Sequence, residues 1–198
     1  MAASGARGRS VSELSAQLQV GRPVVYRLLA TLAEHDLVRR FADGHIRLGL
    51  GILPLAAATH AGLRHVAIPI LRQLADATGA TAHFTLADGD EAIAVAVEEP
   101  TWTDFHVGYR VGSRHPLDRG AAGKAIVDAR LGKPRLARDR VVETQGELQE
   151  GARGLAVAVV GVEGLEASVG VVSLGGLHTD RAKADVLAAA RTLEAALS

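Results

Sequence analysis

The chain contains no cysteine, which excludes disulfides, thiolate metal centres and cysteine nucleophiles together. Aromatic residues are scarce at 3%, so a core must be built from the abundant alanine, valine and leucine. No apolar run reaches membrane-spanning length, and the start MAASGARGRS carries no hydrophobic stretch of a signal peptide. A soluble cytoplasmic protein without a membrane partner is the expectation. Charge of one sign is also lacking overall, with 22 basic and 22 acidic residues. What is present suffices for folding. Hydrophobic residues make up 48% of 198 residues, enough for one generous domain or two small ones, and wholesale disorder is excluded.

The neutral balance hides an asymmetry. Residues 1–49 hold seven arginines and no lysine against four acidic residues, a net of +3, and the rest of the chain carries the compensating −3. A basic head on an acidic body points to a head that meets a polyanion.

Val11, Leu14 and Leu18 fall at helical spacing behind Ser10 or Ser12 as N-cap. A break at Gly21-Arg22-Pro23 follows, and Pro23 opens a second helix, where its missing N–H is harmless. In it Val25, Leu28, Leu29 and Leu32 form one apolar stripe at i, i+3, i+4, i+7. Leu37–Phe41 and His45–Leu48 read as strands around the turn Ala42-Asp43-Gly44. Helix, turn, helix and hairpin make a winged helix-turn-helix pattern over residues 1–49. In such a unit Arg22, Val25, Tyr26 and Arg27 of the second helix are the candidate contacts to the DNA major groove or backbone. Arg40, His45 and Arg47 of the wing are candidates for backbone or minor groove.

Residues 50–64 read as a linker helix, with Pro54 as a kink or restart. Beyond it come a helix over 66–78, a hairpin of 81–87 and 91–97 around Asp88-Gly89-Asp90, and a strand near 105–111. A Gly- and Arg-rich loop over 112–120, a helix over 121–131, strands near 154–161 and 167–174, and a helix over 180–197 capped by Thr179 complete the order. Residues 65–198 thus describe an α+β domain of GAF/PAS-like kind.

Several chemistries drop out. GAAGK (120–124) is not a P-loop, because Asp118 stands where the first glycine is required and Ala125 where Ser or Thr must follow Lys124. The eight histidines show no metal-ligand spacing, His60 and His65 included, and no catalytic motif occurs. Neither a catalytic residue, a metal site nor a cofactor is expected. The small residues at 120–124 instead suit a helix N-terminus whose N–H groups receive an anion. His83 lies on a strand whose alternate residues are core, which favours a structural role over ligand binding.

The run VSELSAQLQVGRPVVYRLLATLAEHDLVRRFADGHIRLG, with Arg27-Leu28-Leu29-x-x-Leu32 and the wing ending Arg47-Leu48-Gly49, resembles the DNA-binding half of the IclR family of bacterial transcription regulators. RVGSRHPLDRGAAGKA, GELQEGARGLAVAV and SVGVVSLGG resemble its effector-binding domain, in the same order. Against the family's pattern, the helix usually preceding the pair is absent, the stretch between the GKA and GE motifs is shortened to 126–145, and Pro23-Val24 replaces the usual hydroxyl residues. The resemblance implies an operator-binding regulator, a repressor by keyword, controlled by a small organic acid or aromatic metabolite. Its partners would be double-stranded operator DNA, the effector and a second copy, as a homodimer or a homotetramer. It places Ala121 and Ala122 as effector-contacting backbone, Ser173 as a hydroxyl facing the effector, Thr144 at a position that can be acidic, and Leu117 on an apolar wall. Gly154, also an effector-site position, and Gly175 fall where some relatives carry polar side chains. The alternative is a small-molecule sensor or binding module with weakened or lost DNA binding.

Overall fold

The computed structural model describes residues 7–58, 61–102, 109–131 and 134–198, and the chain divides into two compact units, 1–61 and 62–198. In the first unit, α1 (Val11–Leu18) starts at Ser10. The Ser10 hydroxyl accepts from the Glu13 N–H and the Glu13 carboxylate accepts from the Ser10 N–H, a reciprocal capping box that holds Glu13 below the usual carboxylate range. Gln19 closes α1 in the left-handed region at φ 54°, and α2 (Arg22–Glu34) follows with its proline in the first turn. The hairpin β1 (Val38–Arg40) and β2 (Ile46–Leu48) is the wing. Five residues, Val11, Leu14, Val25, Val38 and Ile46, form the core of this unit. The apolar stripe of α2 is therefore buried only at Val25. Leu28 is 49% exposed and Leu32 38%. With Leu14, Leu18, Leu29 and Val38 they line an open apolar groove, because among the described residues no further element covers that face. A short helix α3 (Ile52–Ala58) follows within the expected linker.

The second unit opens with α4 (Ala61–Thr78), which ends before Gly79 in the left-handed region. The strands are β3 (Thr81–Asp88), β4 (Glu91–Glu98), β5 (Arg114–Pro116), β6 (Val142–Gln145), β7 (Arg153–Val159) and β8 (Ala167–Ser173). They form one antiparallel sheet in the order β5-β4-β3-β8-β7-β6. Helices α5 (Gly120–Arg130), α6 (Pro134–Asp139) and α7 (Thr179–Leu197) complete the unit. Strand alternation sorts the side chains between two faces. Ala82, Phe84 and Leu86 of β3, Leu155 and Val157 of β7 and Val169 and Val171 of β8 pack with Leu71 and Leu74 of α4 and Val186 and Leu193 of α7. Ala156 packs against Ala121, Ala122 and Ala125 of α5 on the other face. Val95 is left without a partner where the β3–β4 register shifts, a bulge that turns Ala92 toward Leu117 and Ile126 while Ala96 stays in the main core.

Four expectations change. The loop of 112–120 contains the edge strand β5, and the stretch 126–145 contains α6 and β6; both strands are too short for alternation to be legible. The strand expected near 105–111 lies mostly outside the described residues, as does His60, and the described Tyr109–Val111 is not strand. The N-cap of α7 is His178, not Thr179, whose hydroxyl turns back to donate to the Leu177 carbonyl. Glu194 of α7 is 2% exposed and ties the unit together, accepting from Arg138 Nε at 2.7 Å and the Val160 N–H at 2.9 Å.

Candidate functional site

Two sets of residues matter, one in each unit. On α2, Arg22, Tyr26 and Arg27 are exposed on the side away from the core, and Arg40 is exposed on the wing. None of these arginines is engaged in an ion pair among the described residues. Val25 is 1% exposed, which corrects its assignment to the DNA face: it occupies the inward turn of the same helix. His45 and Arg47 are half-buried and drawn to the wing's own turn. The Asp43 carboxylate accepts from the His45 N–H at 2.9 Å and from Arg47 at 2.6 Å, and these hold it below its usual range. The Arg47 guanidinium also lies 4.4 Å over the Phe41 ring.

In the second unit, the sheet face that carries α5 encloses a cavity with about 550 Å³ of space not filled by atoms. His83 of β3, His115 of β5, Thr144 of β6, Gly154 of β7 and Val172 of β8 contribute from the strands, and Gly120, Ala121 and Ala122 from the first turn of α5. Tyr109 and the loop Glu147–Ala152 complete the wall. The small residues create the space. A Cβ on Gly154 would stand 3.2 Å from Thr144 Oγ1 and 3.4 Å from the Ala121 Cβ. Gly120 has φ +75°, and a Cβ there would meet Leu148 at 2.6 Å; one on Gly123 would meet the Leu117 carbonyl at 2.5 Å. Geometry alone thus requires both glycines of GAAGK.

The positive end of α5 is already complemented from within. The Glu147 carboxylate accepts from the Gly120 N–H at 2.9 Å and from Lys124 Nζ at 2.5 Å, and Arg119 donates to the Glu147 carbonyl. Lys124 first and the Gly120 N–H second hold the Glu147 carboxyl below its usual range. Across the cavity, His83 is buried and its imidazole pKa is pushed down to about 4 by burial, with His115 adding to the effect. Its Nδ1 lies 3.1 Å from Thr85 Oγ1, and its ring meets Tyr109 edge-on at 5.4 Å. Burial pushes the Tyr109 phenol up to about 12.

Of the expected effector positions, Ala121, Ala122, Thr144 and Gly154 meet at this cavity. Leu117 does not; it packs with Ala92 and Ile126 beneath α5, since Gly123 draws the helix onto its backbone. Ser173 does not either. It shares a strand face with Val171, its hydroxyl accepts from the Gly175 N–H at 3.1 Å, and its neighbour Val172 reaches the cavity instead. Sequence reasoning missed Tyr109, His115, Glu147 and Gln149 and read His83 as structural. One signal was available: Thr81, His83 and Thr85 alternate polar residues through an otherwise apolar strand, marking a buried polar face.

A winged-helix unit followed by an α+β unit with an enclosed cavity is the architecture of a ligand-sensing DNA-binding protein. Residues 3–41 match the IclR helix-turn-helix domain and residues 55–135 the C-terminal domain of the bacterial transcriptional regulator IclR. Between them these cover more than half of the chain, which belongs to the IclR family of bacterial transcriptional regulators. It is 31% identical over 121 residues to the HTH-type transcriptional repressor AllR of Escherichia coli, covering 60% of this chain and 44% of AllR. It is 29% identical over 120 residues to the HTH-type transcriptional regulator KipR of Bacillus subtilis, covering 60% of this chain and 48% of KipR. The chain thus matches a little under half the length of these curated relatives. An IclR homolog from Microbacterium hydrocarbonoxydans, solved in complex with 4-hydroxybenzoate, superposes with a TM-score of 0.80 at 17% identity, covering 96% of this chain and 91% of that one. Among the described residues no helix is long and apolar enough to cross a membrane.

Proposed function

We propose that the chain is a transcriptional regulator whose binding to double-stranded operator DNA is controlled by a small organic acid or aromatic effector. The observation that carries the reading is the division of labour between the units: α2 presents Arg22, Tyr26 and Arg27 outward with Arg40 on the wing, while Ala121, Ala122, Thr144 and Gly154 surround a cavity in the other unit. Arg22 and Tyr26 meet base edges or phosphates; Arg27 and Arg40, joined by His45 and Arg47 once released from Asp43, meet the backbone. One recognition helix buries too little surface for specific binding, so the active form is a homodimer or a homotetramer. Effector binding shifts the population of DNA-competent dimers by altering how the two heads are spaced. The protein works in the cytoplasm, uses no cofactor and catalyses no reaction. The 4-hydroxybenzoate held by the structural neighbour supports the effector class.

The test is fluorescence-anisotropy titration against duplexes selected from a random library. Arg22→Ala weakens selected-site binding by about 1–3 kcal/mol if the arginine reads a base, and affinity falls steeply with salt. A flat salt profile overturns the regulator reading. Ala122→Trp fills the cavity and abolishes the response to 4-hydroxybenzoate while leaving DNA binding intact. The second reading, a small-molecule module with weakened DNA binding, is favoured by one observation: Asp43 neutralises the wing's inner cation at 2.6 Å.

A further inference from the structure

The effector cavity has one polar atom that the protein leaves unsatisfied. His115, on the edge strand β5, is 7% exposed and lines the cavity, and its Nε2 is buried with no hydrogen-bond partner. Buried polar atoms without a partner are uncommon enough in folded proteins to require an explanation. The other ring nitrogen defines what Nε2 can do. Nδ1 lies 3.0 Å from the Pro116 carbonyl oxygen, which can only accept, so Nδ1 carries the proton. In the neutral ring Nε2 is then a lone-pair acceptor facing a space where nothing donates to it.

The neighbours do not fill that need. The Gly120 N–H and the Lys124 ammonium are both given to the Glu147 carboxylate, and His83 Nδ1 is engaged with Thr85 Oγ1. His115 Cε1 stands 3.5 Å from where a Cβ on Gly120 would be, so the acceptor sits beside the first turn of α5. The carboxylate of Glu147, another acceptor, already complements that helix end. A ligand carboxylate placed against His115 would set lone pair against lone pair. Around this point the walls are apolar, from Ala121, Ala122, Leu148 and Val172.

We infer that the cavity selects an effector with a small apolar body and a hydroxyl or N–H donor, received by Nε2 of His115. The inference rests on the effector-binding reading above and narrows it: the group recognised at His115 is a neutral donor, not an acid. His115 is then the specificity residue of the cavity, and the hydroxyl of the effector completes its hydrogen-bonding.

The experiment uses two isosteric pairs, 4-hydroxybenzoate with 4-methylbenzoate and 3-hydroxybenzoate with 3-methylbenzoate, titrated by calorimetry into the full chain. In at least one pair the hydroxyl compound is expected to bind on the order of tenfold tighter than its methyl isostere, the size of one hydrogen bond to an otherwise unpaired acceptor. His115→Phe erases that preference, and His115→Gln, which keeps an acceptor, retains part of it. Nitrogen-15 NMR of the histidine rings supplies an independent readout: His115 carries its proton on Nδ1, and the Nε2 resonance moves with the hydroxyl compound but not with its isostere. Binding of the pairs without hydroxyl preference, a preference that survives in His115→Phe, or a proton found on Nε2 each overturns the inference alone. Failure of all four compounds to bind overturns it together with the aromatic-acid effector class. If His115→Phe does not fold, the wild-type pairs and the NMR decide the matter.

Discussion

Arginine behaves differently in the two units. In the second unit the basic side chains are largely tied to carboxylates of neighbouring elements. Arg114 bridges Glu91 and Asp88 across β4 and the hairpin turn, Arg130 links α5 to Glu166, Arg138 reaches Glu194, and Arg153 and Lys183 converge on Glu143. In the first unit Arg22, Arg27, Arg39 and Arg40 have no such partner among the described residues. The cores differ in the same sense. Twenty-one buried residues, Phe84 included, surround the sheet on its α4–α7 face, against five aliphatic residues in the winged helix. Charge in one unit holds elements together; in the other it is left at the surface, where a polyanion can use it.

Substitutions test that contrast. The largest effect is expected at Phe84, fully buried in the main core. Phe84→Ala lowers the stability of the second unit by about 3–5 kcal/mol, read from the urea midpoint. Next comes a pH effect confined to the same unit. His83 is neutral when folded, with its pKa lowered from 6.5 to about 4, so in that window the unfolded chain binds the extra proton and stability rises with pH. Acidification from pH 6.5 to 4 should therefore cost the second unit on the order of 3 kcal/mol through this group. His83→Asn flattens that stretch of the stability profile; the loss from Glu147 and Glu143, whose pKa values are lowered, falls below it. A profile unchanged by His83→Asn would show that burial does not hold this ring neutral.

Smaller effects belong to the first unit. Ser10→Ala removes the hydroxyl half of the capping box and costs about 1 kcal/mol by helix content and denaturation. Leu28→Ser, on the uncovered face of α2, changes stability by roughly 0.5 kcal/mol or less. Should Leu28→Ser destabilise as much as Phe84→Ala, the open groove is covered in solution and the contrast between the two cores fails.

Local signals carried most of the architecture. The Ser10 cap, Pro23 in the first turn of α2, the Ala42-Asp43-Gly44 turn, the Asp88-Gly89-Asp90 turn and the alternation in TAHFTLA each act over a few residues, so they are legible one-dimensionally. The same holds for Gly120 and Gly123, marked by GAAGK as a tight junction before their contacts were known. Short elements were harder. β5 has three residues and gains its strand character from pairing with β4, which no local pattern encodes.

The candidate site divides along the same line. Ala121, Ala122, Thr144 and Gly154 were identified through a family resemblance whose motifs lie in sequence, whereas Leu117 and Ser173 shared those motifs and yet face elsewhere. Which face a strand residue presents depends on register and on bulges such as the one at Val95, and so on pairing partners far along the chain. His115 and Glu147 became site residues only when the sheet brought β5 and the loop after β6 to one end of α5. By itself the sequence determined the two units, their element types and the basic surface of the first, because periodicity, capping and charge are local properties. Tertiary structure alone decided which side chains share the cavity and which of their hydrogen bonds are already made, because those depend on distances between residues up to 91 positions apart, from His83 to Val172 at one end and Gly154 at the other.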